Sequence, residues 1–153
     1  MSRAVQRIVI VALAALTGVG IASGLTAEGT KAIEARHEAM ESIGDAMKAL
    51  GAIARGKTAF DADVVREQAT TIAEELKKAS TLFPPGSDKG DAETFAKPEV
   101  WTDAEGFAEA MKSGETAAAA LRAVTKETDF RPALGELGGT CKSCHQRFRL
   151  PMP

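Results

Sequence analysis

Tyrosine is absent from this 153-residue chain, tryptophan occurs once, and aromatic residues make up only 5% of it. Long β-branched stretches are missing too, so composition argues against a sheet protein and for an all-α one. Neither sign of charge dominates: 19 basic residues stand against 21 acidic ones, a formal net charge of −2. That balance gives no basic footprint for nucleic acid. Nor does any carboxylate pair or nucleophile–base set suggest substrate turnover, so the chain does not read as an enzyme. No internal repeat is evident. Cysteine and histidine are scarce, with two of each.

That scarcity is informative because both cysteines fall in one stretch, Cys141-Lys142-Ser143-Cys144-His145, near the C-terminus. Positions i, i+3 and i+4 of a helix share a face, so two thiols and an imidazole point the same way. The pattern is that of covalent c-type haem attachment, with a thioether to each cysteine and the histidine on the iron. Three other readings compete. A redox Cys-x-x-Cys motif belongs in a βαβ setting, and nothing here is β-rich. A structural zinc site needs four ligands, and the only histidine outside the motif is His37. A disulfide across two residues closes a loop too short to stabilise much.

The N-terminus sets the compartment. Arg3 and Arg7 precede a charge-free run over 8–27 that is most apolar at its start and ends in small residues. This order predicts a secretory signal peptide, cleaved before Glu28 or shortly upstream after Gly24, and hence a periplasmic protein. The competing reading is an uncleaved anchor, because the run is just long enough to span a bilayer. Cleavage removes two basic residues and no acidic ones, leaving a net acidic domain over 28–153 with no stable membrane association. Covalent capture by haem also explains two otherwise unpaired cysteines in an exported chain.

Four amphipathic segments follow. Over 30–55, Ile33, Met40, Met47 and Ala54 alternate with Arg36, Ile43 and Leu50 at the three-and-four spacing of one long helix, which Gly56 stops. Arg36 is out of place on that seam; it pairs with an anion such as a haem propionate, or else snorkels to solvent. Met40 on the same face reads by itself as core filler. Asp61 caps a second helix with the stripe Val65, Ala69, Ile72, Leu76 and Ala79, ended by Pro84-Pro85. The connection over 86–98 is long and polar, as expected of a segment draped over something, a haem edge being one candidate.

A third helix is expected to start between Pro98 and Thr102, with capping-box spacing from Thr102 to Glu105. Its stripe is Ala104, Phe107, Met111, Ala118, Leu121 and Val124, and Trp101 anchors its start. The last helix is expected from Asp129, with Pro132 in its first turn and Leu134, Leu137, Cys141, Cys144, His145 and Phe148 facing inward. Gly135, Gly138 and Gly139 precede the motif, where close approach of a flat cofactor would explain their helix cost. Four such helices with mostly short joins predict an antiparallel up-down-up-down bundle.

With these segments in place, the chain resembles the cytochrome c′ family. The resemblance spans 28–153 and rests on Arg36-His37-Glu38-Ala39-Met40, Leu50-Gly51-Ala52-Ile53-Ala54-Arg55-Gly56, Lys97-Pro98-Glu99-Val100-Trp101 and residues 141–149. It implies one haem c inside the bundle near one end, with His145 as proximal ligand and Arg149 beside that pocket. It implies Arg36 near a propionate, and His37 where the family commonly has glutamine. Glu93 and Thr94 are implied at the haem edge, and Met40 at the distal face. If Met40 only packs there, the iron is five-coordinate and high-spin, open to NO and CO or to single-electron transfer. If Met40 binds, the protein is a low-spin Met40/His145 electron carrier of the same fold. The redox partner is unidentified, and dimerisation through the first two helices is common in the family. The contrasting class is a non-haem structural or sensor bundle.

Overall fold

The computed structural model describes residues 19–151, with side chains from 27 onward. The helices are α1 (Val19–Ala54), α2 (Ala62–Ala79), α3 (Glu99–Thr102), α4 (Ala104–Arg122) and α5 (Glu127–Phe148), and the described residues contain no strand. Most of the expected leader, 1–27, lies outside the described residues, and its final part continues into α1.

Each long helix presents a stripe to one core. In α1 the buried side chains are Ile33, Arg36, Ala39, Ile43, Ala46, Leu50 and Ile53, the expected seam shifted slightly so that Met40 and Met47 sit on its edge. In α2 the buried residues are Val65, Ala69, Ile72, Leu76 and Ala79, as their spacing predicts. Asp61 caps α2 by accepting from the Asp63 and Val64 amides. Gly56 ends α1 with φ +69°, and the bonds Gly56 N–H to Ile53 O and Lys57 N–H to Ala52 O form a Schellman cap.

Two expected starts are corrected. Glu99–Thr102 is a separate turn, and the chain breaks at Asp103 (φ −128°, ψ 56°), whose carboxylate accepts from Gly106 N–H to cap α4 in place of Thr102. The break leaves Ala104 exposed and turns Gly106 inward instead. Helix α5 begins at Glu127, upstream of Asp129, so Pro132 lies inside it beyond the first turn. Proline's fixed φ suits a helix, and its missing N–H there costs a single carbonyl partner. Glu127 and Asp129 in the first turn favour the earlier start through the helix dipole.

Helix α1 packs on α2, α2 on α4, and α4 on α5, whereas α1 and α5 barely touch. One end of the bundle gathers Arg36 of α1, Leu82 after α2, Trp101 before α4 and Phe148 of α5. Phe60 and Phe130 meet at the other end, with ring centroids 5.7 Å apart. The helices therefore alternate in direction, making the antiparallel four-helix bundle that the periodicity predicts. At Gly114 α4 packs tightly on α2, since a Cβ there would lie 3.2 Å from Leu76 Cδ1.

Two of the three glycines before the cysteine motif face away from the cavity that the motif lines. Gly135 and Gly139 line an outer groove between α4 and α5, and a Cβ on either would meet nothing within 4 Å. Their cost to the helix is thus not offset by close packing among the described residues. Gly135→Ala and Gly139→Ala should each raise stability by about 0.5–1 kcal/mol in denaturant unfolding. A loss of stability in either variant would show that something presses on that groove.

Candidate functional site

The gap between α1 and α5 is a cavity of about 630 Å3, lined mainly by apolar side chains. Met40, Ile43 and Met47 form its α1 wall, Phe107 and Met111 come from α4, and Cys141, Cys144, His145 and Phe148 from α5. Phe83, Phe95 and Val100 close it from the long connection and α3. His37, Glu41 and Gly44 are exposed residues at its mouth. One turn and a step of α5 deliver both thiols and the imidazole to the same wall, as the i, i+3, i+4 spacing requires.

These three groups share a half-buried, weakly polar setting. Burial pushes the Cys141 thiol up, with Thr140 partly opposing, and burial together with Cys141 pushes the Cys144 thiol up. Both therefore stay protonated near neutral pH. Burial, and then the positive charge of Arg149, pushes the His145 imidazole down, which keeps it neutral and able to donate a nitrogen lone pair.

Arg36 is 5% exposed and none of its hydrogen-bond partners is a carboxylate. One guanidinium nitrogen donates to Leu82 O and Ser87 Oγ, both at 3.1 Å. The other donates to Ser87 O at 2.8 Å and, at 3.4 Å, to Thr94 Oγ1. Its Cζ lies 4.7 Å from the Phe83 ring centroid and 5.9 Å from that of Trp101. Trp101 in turn donates its indole N–H to Phe83 O at 3.2 Å. Burial lowers the Arg36 pKa and the Asp88 charge raises it. The arginine thus ties the connection after α2 onto α1 while its guanidinium borders the cavity.

Thr94 and Arg149 line the cavity with Arg36, His37 and Met40, whereas Glu93 is exposed and does not line it. Phe95 and Ala96, beside Thr94, do. An isolated bridge between Ala96 and Arg149 and the bond Leu150 N–H to Phe95 O, 2.7 Å, pin this segment to the end of α5. Close approach is possible lower down because a Cβ on Gly29 would sit 2.2 Å from Lys89 O. Sequence reasoning missed Ser87, Phe83 and Phe95. Only the aromatic residue ahead of Pro84-Pro85 gave any signal, since an apolar side chain at a helix end needs cover.

Comparison with known proteins agrees with this geometry. A family model described as Cytochrome C' matches residues 31–149. The cytochrome c' of Rubrivivax gelatinosus is 41% identical over 121 residues, covering 77% of this chain and 93% of that protein. Its crystal structure superposes with a TM-score of 0.71, covering 77% of this chain and 94% of that one. Cytochrome c-556 of Agrobacterium tumefaciens (strain apple 185) is 40% identical, covering 76% of this chain and 93% of that protein. A mutant cytochrome c prime from Alcaligenes xylosoxidans in complex with nitric oxide shares the fold, at a TM-score of 0.73 and 21% identity, covering 81% and 97% of the two chains.

Replacing Arg36 by Met keeps apolar bulk but strands the Ser87 and Leu82 acceptors. We expect a loss of about 3 kcal/mol, from charged hydrogen bonds in a buried site, with faster amide exchange over 82–96. Unchanged exchange there would rule out the tie.

Proposed function

This chain belongs to the cytochrome c′ family, and from that membership we propose that it is an exported haem c protein that binds NO and CO and passes single electrons. The observation that carries the reading is the convergence of Cys141, Cys144 and His145 on one wall of an apolar cavity. The residues fit a haem in two further respects. The cavity is large and mainly apolar, and a buried arginine with only neutral hydrogen-bond partners stands at its border. The haem supplies a one-electron iron couple and a site for a diatomic ligand.

The chain's own residues divide the remaining work. Cys141 and Cys144 hold one haem through thioethers, and neutral His145 is the proximal ligand. Arg36 faces a propionate, whose negative charge complements the buried guanidinium. His37 and Thr94 border the haem edge, and Arg149 flanks the proximal side. Glu93, exposed beside Thr94, reaches the haem edge only if its side chain turns inward. Met40 fills the distal face without ligation, and the apolar lining discourages anionic ligands by leaving their charge unsolvated. Residues 1–27 direct export to the periplasm and are removed, leaving 28–153 as the working domain. Among the described residues no helix is long and apolar enough to cross a membrane.

A second reading has a specific observation behind it: Met40 is half-buried on the cavity wall, so its thioether is available as a sixth ligand. That would make a low-spin electron carrier closed to gases. The ferric optical spectrum separates the two. The five-coordinate reading expects a high-spin spectrum that Met40→Ala leaves unchanged, with CO binding in the ferrous state. A low-spin spectrum that turns high-spin in Met40→Ala establishes ligation instead. A pyridine haemochrome on protein matured in an export-competent host should report one haem per chain. Its absence would sink both readings and leave a non-haem bundle.

A further inference from the structure

His145 lines two spaces. Besides the cavity, it borders a shallow outer groove of about 360 Å3 at the end of α5, formed with Lys97, Lys142, Gln146, Arg149, Leu150 and Pro151. Three cations line this groove and, among the described residues, no carboxylate does. Among the described residues none of the three has a carboxylate within ion-pair distance, whereas nearby Arg147 is neutralised by Asp103 of the α4 cap. Lys97 is oriented by donating its ammonium to Gln146 O at 2.9 Å, near the negative end of the α5 dipole. Leu150, 42% exposed, supplies an apolar contact beside the charges. All this occurs in a chain whose acidic residues outnumber its basic ones.

We propose that this groove, walled by His145 and edged by Lys97, Lys142 and Arg149, is the docking surface for an acidic redox protein that exchanges electrons with the haem. The proposal rests on the haem-carrier reading above. Three unpaired cations around an exposed leucine match the anatomy of a small encounter interface, with a charged rim that steers and an apolar centre that seats. A partner here would stand one side chain from the cavity that would hold the haem, because the His145 imidazole lines both groove and cavity. One electron crosses per encounter: one centre is oxidised as the other is reduced, with no bond made or broken. The groove between α4 and α5 also reaches Cys144, but Glu136 lines it and its arginine is paired, so it offers an acidic partner less attraction.

The test uses the haem-loaded protein and an acidic blue-copper protein as probe. Carbodiimide, which joins lysines to carboxylates, should cross-link the two chiefly through Lys97 and Lys142, mapped by mass spectrometry. Lys142→Glu alone, and combined with Lys97→Gln, should weaken binding at low salt by about tenfold or more. The electron-exchange rate should fall in parallel while the ferric spectrum stays unchanged. Cross-links on other lysines, or binding indifferent to these changes, overturn the interface. So does a result in which oxidation by hexacyanoferrate slows but binding of the copper protein does not, since the groove then takes small anions only. Cross-linking at these lysines with a normal haem spectrum but no electron exchange would instead sink the carrier reading and leave the interface standing.

Discussion

An α-helix returns to the same face every three or four residues, and an open gap beside that face is what this protein is built to provide. Cys141, Cys144 and His145 share a wall because of the first fact. They have something to face because α1 and α5 stay apart while the other neighbouring helices pack closely. Small residues make the contrast possible. Ala69, Ala118 and Gly114 let α2 and α4 approach, whereas Met40, Met47, Phe107 and Phe148 stand around the gap and bound it. If the α1–α5 seam closed like the others, the motif would be buried against aliphatic side chains and bind nothing.

The end of the bundle nearest the motif is organised around a single buried cation. An arginine facing a core is costly unless its donors are met, and Arg36 meets them with the connection after α2 rather than with another helix. The connection is thereby drawn across the cavity end, and the same path brings Phe83, Thr94 and Phe95 to the lining. The Ala96–Arg149 bridge fastens the far side of that path to α5. Packing, polar satisfaction and access to the site are therefore set by one loop. Charge follows the same geography: the lysines and arginine beside His145 lie where this loop meets the end of α5.

Much of this was readable in advance where the cause is local. The α2 stripe, the Asp61 cap, the Gly56 stop and the inward face of α5 follow from spacing and from single-residue backbone preferences. Helix starts were less legible. Thr102 and Asp103 are both good caps, and only the turn at Glu99–Thr102 decides between them. Pro132 suggested a later start for α5, because proline prefers a first turn but tolerates a position beyond it when neighbours hold the helix. Gly135 and Gly139 could not be assigned a side from the sequence; the packing turns both to an outer groove.

The linear chain by itself determined the all-α class, the four amphipathic stripes and the joint orientation of two thiols and an imidazole. Each depends on interactions within a few residues, which the pattern of residue types records directly. Only the tertiary structure decided that Arg36 spends its hydrogen bonds on Ser87 and Leu82, that Glu93 stays outside, and that Lys97 lies beside Lys142 and Arg149. Those pairings join residues some fifty positions apart through an irregular segment. Its path is fixed by which acceptors reach a buried guanidinium, and no periodicity in the sequence encodes that.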